Sequence, residues 1–289
     1  MLDGVDTIVE SGARLAAPLA FAACGEYLAE RAGTMNISVE AMMLGAAFGA
    51  VATGSVAGGL AAGVGIGAAV GAVHGTLAHR ARVNTFVVGL VLNALALGVT
   101  SYLATVLTLP VLAGGRWPMA LLLLLIPLTW WLVERSRWGL ELRAAGANPE
   151  AARANGIPVD ARRRQALLWC GALAGLGGAY LAVGEVGSFN PNMTAGRGYL
   201  VVAAVLFGAG RLRRTLVGCA LFGLADALRL ALPALGVTLN SHLLVAAPYL
   251  LALTAMLLFP PSHPRSLSRS LSRSLSRSLP RSLFRRSRA

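Results

Sequence analysis

The 289-residue sequence contains no lysine; all 25 of its Lys/Arg positions are arginine. That absence has one direct chemical consequence. A phosphate-binding P-loop uses a lysine to reach the β- and γ-phosphates of a nucleotide, and this chain has none to offer. Charge is scarce too, with 13% charged residues against 56% hydrophobic, whereas soluble domains carry roughly 25% charge. Cysteine is limited to Cys24, Cys170 and Cys219, each inside an apolar run, which points to small core residues rather than a disulfide framework. The histidines His74, His79, His242 and His263 lack metal-ligand spacing, so no metal site is expected. Neither H-E-x-x-H nor G-x-S-x-G occurs, which removes the signatures of zinc proteases and serine hydrolases. No catalytic residue is expected.

What is plentiful is apolar length. Apolar segments run over roughly 12–29, 36–52, 56–78, 84–107, 117–134, 165–183, 193–209, 214–231 and 240–259. Most approach the ~20 residues a helix needs to cross ~30 Å of hydrocarbon. The expected fold is all-α: a polytopic integral membrane bundle of about eight to ten transmembrane helices. Internal Gly and Pro leave room for a broken or re-entrant segment among them. Residues 1–261 form the expected membrane domain, and 262–289 a separate tail.

The third segment carries Gly59, Gly63, Gly67, Gly71 and Gly75 at every fourth position. That spacing makes a ridge along one helix face, and small residues there let two helices approach closely in lipid. Gly171 and Gly175 repeat the theme in the sixth segment. The same stretch, read as GVGIGAAVG, lacks the spacing of a dinucleotide loop and follows no strand.

Arginine placement predicts orientation. Arg80 and Arg82 lie in the link 79–83; Arg135, Arg137, Arg143, Arg153, Arg162, Arg163 and Arg164 lie in the link 135–164; Arg211 and Arg213 lie at 210–213, with Arg214 just beyond. Two spans separate each basic segment from the next, the tail included. All four therefore fall on one side, which the positive-inside rule makes cytoplasmic. The N-terminus, with Asp3, Asp6 and Glu10, is expected outside. It has no basic n-region ahead of an apolar core, so no cleaved signal peptide is expected.

Of the net charge of +13, eight arginines belong to 262–289, where there is no acid, so no nucleic-acid partner is expected. Arginine recurs there at every fourth position from Arg265 to Arg285. Like charges at i, i+4 repel on a helix. A disordered tail lying against anionic membrane lipid is the expectation.

The link 135–164 reads WGLELRAAGANPEAARANGIPVDARRR from Trp138. Asn148 is a good N-cap and Pro149 suits the first helical position. Glu150 sits where the helix dipole favours an acid. Gly156 can close the helix in a left-handed turn, and Pro158 prevents its restart. The spacing predicts a helix of about two turns between two spans. Two readings stand open: a docking element, or an ordinary capped loop.

Polar groups inside apolar runs are costly and face a cavity or a polar partner. Asn36, Glu40 and Asn93 are such groups, with Asn36 and Glu40 spaced to share a helix face. The stretch from Glu185 to Arg197 adds Phe189, Asn190, Asn192 and Thr194, as an external re-entrant turn. An aromatic beside amides suits a nucleobase or a sugar face. These residues either line a translocation path or tie helices together. Asp226 and Arg229, one turn apart, are expected to pair.

Glu150-Ala151-Ala152 followed by Gly156 resembles the E-A-A-x-x-x-G signature of ABC importer permeases. Three further stretches are similar to the branch for nucleosides and simple sugars: Gly25–Met43, Arg82–Leu103 and Gly187–Phe207. The chain departs from that branch at Ser38 and Ala41, where an N-I-G-x-E-G pattern would place glycine. The resemblance implies that the loop around Asn148, Pro149, Glu150, Ala151, Ala152 and Gly156 is a coupling helix seated in a cleft of a separate ATPase subunit. It also implies a second homologous permease subunit and an extracytoplasmic solute-binding lipoprotein. ATP and Mg would belong to the ATPase, leaving this chain without cofactor. The expected setting is the bacterial cytoplasmic membrane, and the expected cargo a nucleoside, then a simple sugar. The competing expectation is a stand-alone secondary transporter or channel, which also uses broken helices and midplane polar groups but needs no docking helix.

Overall fold

The computed structural model describes residues 2–112, 114–115, 117–234, 250 and 254. The apolar segment 240–259, apart from Leu250 and Thr254, and the tail 262–289 lie outside the described residues.

The other eight apolar segments are helical. They are α1 Leu2–Arg31, α2 Val39–Ala52, α3 Val56–His79, α4 Thr85–Val106, α5 Leu121–Arg135 after a 3-10 turn at Trp117–Ala120, α8 Val159–Ala179 with a π-helical extension Tyr180–Val186, α9 Arg197–Gly208 and α10 Leu212–Ala234. Between α5 and α8 come α6 Arg137–Ala147 and α7 Pro149–Ala154. The basic link thus holds two helices, where one was expected. Ser136 starts α6 by accepting from the Gly139 amide. Leu142 and Ala145 on its inner face are fully buried.

Local chemistry sets several boundaries. The Ser55 hydroxyl accepts from the Gly58 amide and opens α3. Asn84 accepts from the Phe86 amide and opens α4. Gly33, at φ +69°, turns the chain back after α1, a conformation that glycine adopts at no steric cost.

Among the described residues, five helices are long and apolar enough to cross a membrane: Val56–His79, Thr85–Val106, Trp117–Arg135, Val159–Val186 and Leu212–Leu232. α2 and α9 are not. At 1.5 Å per residue their 14 and 12 residues span about 21 and 18 Å. They are short apolar helices, too short to cross the hydrocarbon alone.

α8 is the central element. In its apolar window 83% of residues are buried, against 22–33% for the other four candidate spans. α1, α2 and α3 pack around it, with Leu19, Met42, Met43, Leu167 and Cys170 in the shared core. All three cysteines are buried and free. α4, α5 and α10 expose apolar side chains such as Leu95, Leu123 and Leu221, which a hydrocarbon solvent tolerates as well as a core does.

α3 meets α8 through the glycine ridge. Gly59, Gly63, Gly67, Gly71 and Gly75 are all buried. A Cβ at Gly67 would strike the Gly171 carbonyl oxygen, one at Gly71 the Leu167 carbonyl oxygen, and one at Gly63 the Ala179 methyl at 2.5 Å. Gly59 approaches Ala50 of α2 and Val183, and Gly75 approaches Arg164. Gly171 and Gly175 return the contact to the backbones of Gly67 and Gly63. Gly65, between ridge positions, has nothing within 4 Å.

The three basic links gather at one end of the bundle, while the basic tail lies outside the described residues. Arg163 donates to the Ala32 carbonyl beyond α1 at 3.2 Å, and Thr34 bonds His79 at the end of α3 at 2.8 Å. Arg143 of α6 pairs with Glu134 at the end of α5, and Arg31 reaches the Gly210 carbonyl before α10. The links predicted to share a side therefore do.

Candidate functional site

Inside the bundle, at the start of α2, three buried polar residues close chain breaks. Asn36 does not lie on α2. It sits in the extended stretch 34–37 ahead of the helix, so the expected face shared with Glu40 does not exist. Gly33 ends α1 too early for a helix to run through Asn36, and the two side chains serve different partners.

Asn36 accepts from the Ser38 amide at 3.0 Å and the Ser38 hydroxyl at 2.8 Å, a local turn of the Asx kind. Its amide donates to Glu26 Oε2 at 2.9 Å and Cys170 Sγ at 3.2 Å. Ser38 Oγ shares a 2.7 Å bond with His74 Nδ1, and His74 Nε2 a 2.8 Å bond with Thr85 Oγ1. Thr85 finally donates to the Met35 carbonyl at 2.9 Å. Side chains of α1, α3, α4 and α8 are thus joined around one break.

Glu40, in the first turn of α2, caps α9. Its Oε1 accepts from Thr194 Oγ1 at 2.6 Å and the Gly196 amide at 2.8 Å, and its Oε2 from the Gly198 amide at 2.7 Å. A carboxylate at a helix N-terminus satisfies orphan amides and meets the favourable end of the dipole. Gly198 fits because a Cβ there would meet Glu40 itself at 2.5 Å.

Asn93 of α4 does for α2 what Glu40 does for α9. Its Oδ1 accepts from the Ala41 amide at 2.9 Å, while its amide donates to the Ile37 carbonyl at 2.9 Å and to Tyr199 Oη at 3.0 Å. The N-termini of two half-helices therefore meet beside a carboxylate and a carboxamide.

Of the six residues expected on a path, Asn36, Glu40, Asn93, Phe189 and Thr194 are buried within this chain, and Asn192 is exposed. Phe189 packs edge-on against Phe48 at 5.2 Å. Asn192 adopts φ +58° in the turn before α9, a conformation asparagine tolerates. Glu185 opens this stretch and is held by Arg14 at 2.7 Å and by the Tyr180 hydroxyl at 2.8 Å. Asp226 pairs with Arg229 at 3.5 Å as expected, and with Arg197 at 3.1 Å.

Sequence reasoning missed Glu26, Ser38, His74 and Tyr199. Lone polar residues within apolar runs were the available signal for Glu26 and His74. Tyr199 is half-exposed above Asn93.

At the basic end, α7 forms as its caps dictate. Asn148 Oδ1 accepts from the Ala151 amide at 3.2 Å, Pro149 fills the first position, and Gly156 follows at φ +78°. Ala152 turns inward against Ala145 and Val159, while Glu150, Ala151 and Arg153 stay exposed. Arg153 pairs with Asp160 at 3.1 Å across the turn. The stub is anchored on one side and open on the other.

A helical chain whose described residues include five apolar helices long enough to span a bilayer is a multi-pass membrane protein. The chain belongs to the family described as branched-chain amino acid transport system / permease component, which matches it over residues 8–112 and 108–259. Among its relatives is a provisionally named glucose ABC transporter permease of Haloferax volcanii, 33% identical over 81% of this chain and 80% of the relative. A nucleoside ABC transporter permease of Lactococcus lactis is 28% identical over 84% and 88%. A guanosine ABC transporter permease of Bacillus subtilis is 27% identical over 83% and 88%. ABC permeases work with ATP-hydrolysing and solute-binding partners, so this chain is a membrane component of such an importer.

Proposed function

We propose that this chain forms the membrane path of an ABC importer for a nucleoside or, next, a simple sugar. ATP is hydrolysed by a separate subunit that docks on α7. The carrying observation is α7 itself: six residues capped at both ends, anchored through Ala152 and open along Glu150, Ala151 and Arg153. A stand-alone secondary transporter would have no use for it. The absent lysine agrees with an ATPase site on another chain.

In this reading the basic end faces the cytoplasm and the Glu185–Arg197 turn faces outward. A second permease subunit completes the path, and a binding lipoprotein delivers the cargo. Names of relatives support the cargo class, with two nucleoside-type permeases and one for glucose. Glu40, Asn93 and Thr194 serve by holding α2 and α9 in place. Asn190, Asn192 and Tyr199 are exposed polar groups of the same region.

Reconstitution tests the proposal. The chain is placed in proteoliposomes with its ATPase, second permease and lipoprotein, and uptake of labelled guanosine and glucose is followed. ATP-dependent guanosine uptake that stops when the ATPase is left out is the expected result. Uptake driven by an ion gradient with no ATPase present would establish the secondary-transporter reading instead.

A further inference from the structure

A crevice of 340 Å³ lies at the basic end between α5 and α10, floored by Tyr27 of α1. Trp130 and Glu134 of α5 line one side, and Arg211, Arg213 and Arg214 the other. We infer that this crevice binds the headgroup phosphate of an anionic phospholipid.

The charges in the wall favour an anion. Glu134, the acid lining the crevice, is already answered by Arg143 at 2.8 Å, Arg31 at 3.5 Å and the Tyr27 hydroxyl at 3.1 Å. Arg211, Arg213 and Arg214 are exposed and, among the described residues, lie within 4 Å of no carboxylate. Arg135 stacks over Trp130 with 5.7 Å from guanidinium to ring centroid, adding a further cation at the rim. Guanidinium groups hold phosphate oxygens in bidentate geometry.

The surface away from the arginines identifies the anion as a lipid. Val217 and Leu221 follow Arg213 at four-residue steps along α10, and both are exposed. On α5, Leu123 lies two turns before Trp130 on the same face and is 82% exposed. Below the charged rung both walls are therefore apolar. A tryptophan at that junction is the residue type that settles at the headgroup level of a bilayer. Free phosphate would use the arginines and leave these walls unused, whereas a phospholipid uses both. Basic pockets between membrane helices on the cytoplasmic side suit anionic headgroups.

The test uses the intact transporter, this chain with its partner subunits, purified in detergent. Retained phosphatidylglycerol and phosphatidylcholine are counted by native mass spectrometry. Wild type should hold phosphatidylglycerol in preference to phosphatidylcholine, and 10 mM phosphate should not displace it. Each Arg→Gln change at 211, 213 or 214 should weaken retention about fivefold, and a triple Arg→Lys variant, which keeps the charge but loses the bidentate fork, should retain more than the triple Arg→Gln variant and less than wild type. Val217→Ser with Leu221→Ser should also weaken retention while leaving the arginines intact. The single variants are read only where unfolding temperature matches wild type, and the Val217/Leu221 pair supplies an independent reading.

Equal retention of phosphatidylglycerol by wild type and the Arg→Gln variants would overturn the inference. So would equal retention of phosphatidylcholine, which means an ordinary annular lipid. Displacement by inorganic phosphate would assign the crevice to a free anion. Retention seen only after the ATPase is stripped away would assign it to a protein contact.

Discussion

Glu40 takes the Thr194 hydroxyl at 2.6 Å, 154 positions along the chain. With the Gly196 and Gly198 amides it forms the joint between two half-helices. Glu40→Ala leaves a buried hydroxyl and two amides without their acceptor. Hydrogen bonds to charged groups contribute roughly 1.5–3 kcal/mol each, so the loss should reach at least ~2 kcal/mol. A marked fall in unfolding temperature in detergent is expected, with a milder fall for Glu40→Gln, which keeps one acceptor. An unchanged unfolding temperature for Glu40→Ala would remove the capping role.

The glycine ridge predicts a contrast between neighbours. Gly67→Ala drives a methyl into the Gly171 backbone, and overpacking costs about 1–3 kcal/mol. Gly65→Ala enters open space and should be neutral or stabilising by ~0.5–1 kcal/mol. Thermal unfolding of both variants decides. Equal behaviour would mean that α3 and α8 are not in backbone contact.

At α7, Gly156→Pro cannot adopt the observed φ of +78°, because proline is fixed near −65°. Glu150→Lys places a cation at the helix end that favours anions. Both variants should insert normally and lose co-purifying ATPase. Wild-type recovery of the ATPase with both would count against α7 as its docking element.

Asn36→Leu should lower stability and uptake together. It strips partners from Glu26 and from the Ser38 amide and hydroxyl, and each buried group left unsatisfied costs roughly 1–3 kcal/mol. Normal unfolding with impaired uptake would instead place Asn36 on the path.

Features governed by neighbours in sequence were legible. The α7 stub needed only Asn148, Pro149 and Gly156, and its ends fall where those residues put them. Helix positions followed from apolar length, although α2 and α9 are too short to cross alone. What failed depended on the third dimension. The spacing of Asn36 and Glu40 implied one face only if both were helical, and Gly33 prevents that. Asp226 met its predicted neighbour Arg229, but the shorter pairing is with Arg197, 29 positions away. The α6 helix was hidden because its apolar residues, such as Leu142 and Ala145, are dispersed among arginines. Both glycine repeats were visible, while their mutual contact rested on how α3 and α8 lie in space.

That contact has a mechanical character. Helices that meet through side chains interlock, ridge into groove, and resist sliding. Between Gly63, Gly67 and Gly71 on one side and Gly171 and Gly175 on the other, peptide backbone lies against peptide backbone. Such a surface holds the two helices close and has few teeth along its length. On the proposed docking role of α7, an axial push on the adjoining α8 would be taken up along this close backbone seam.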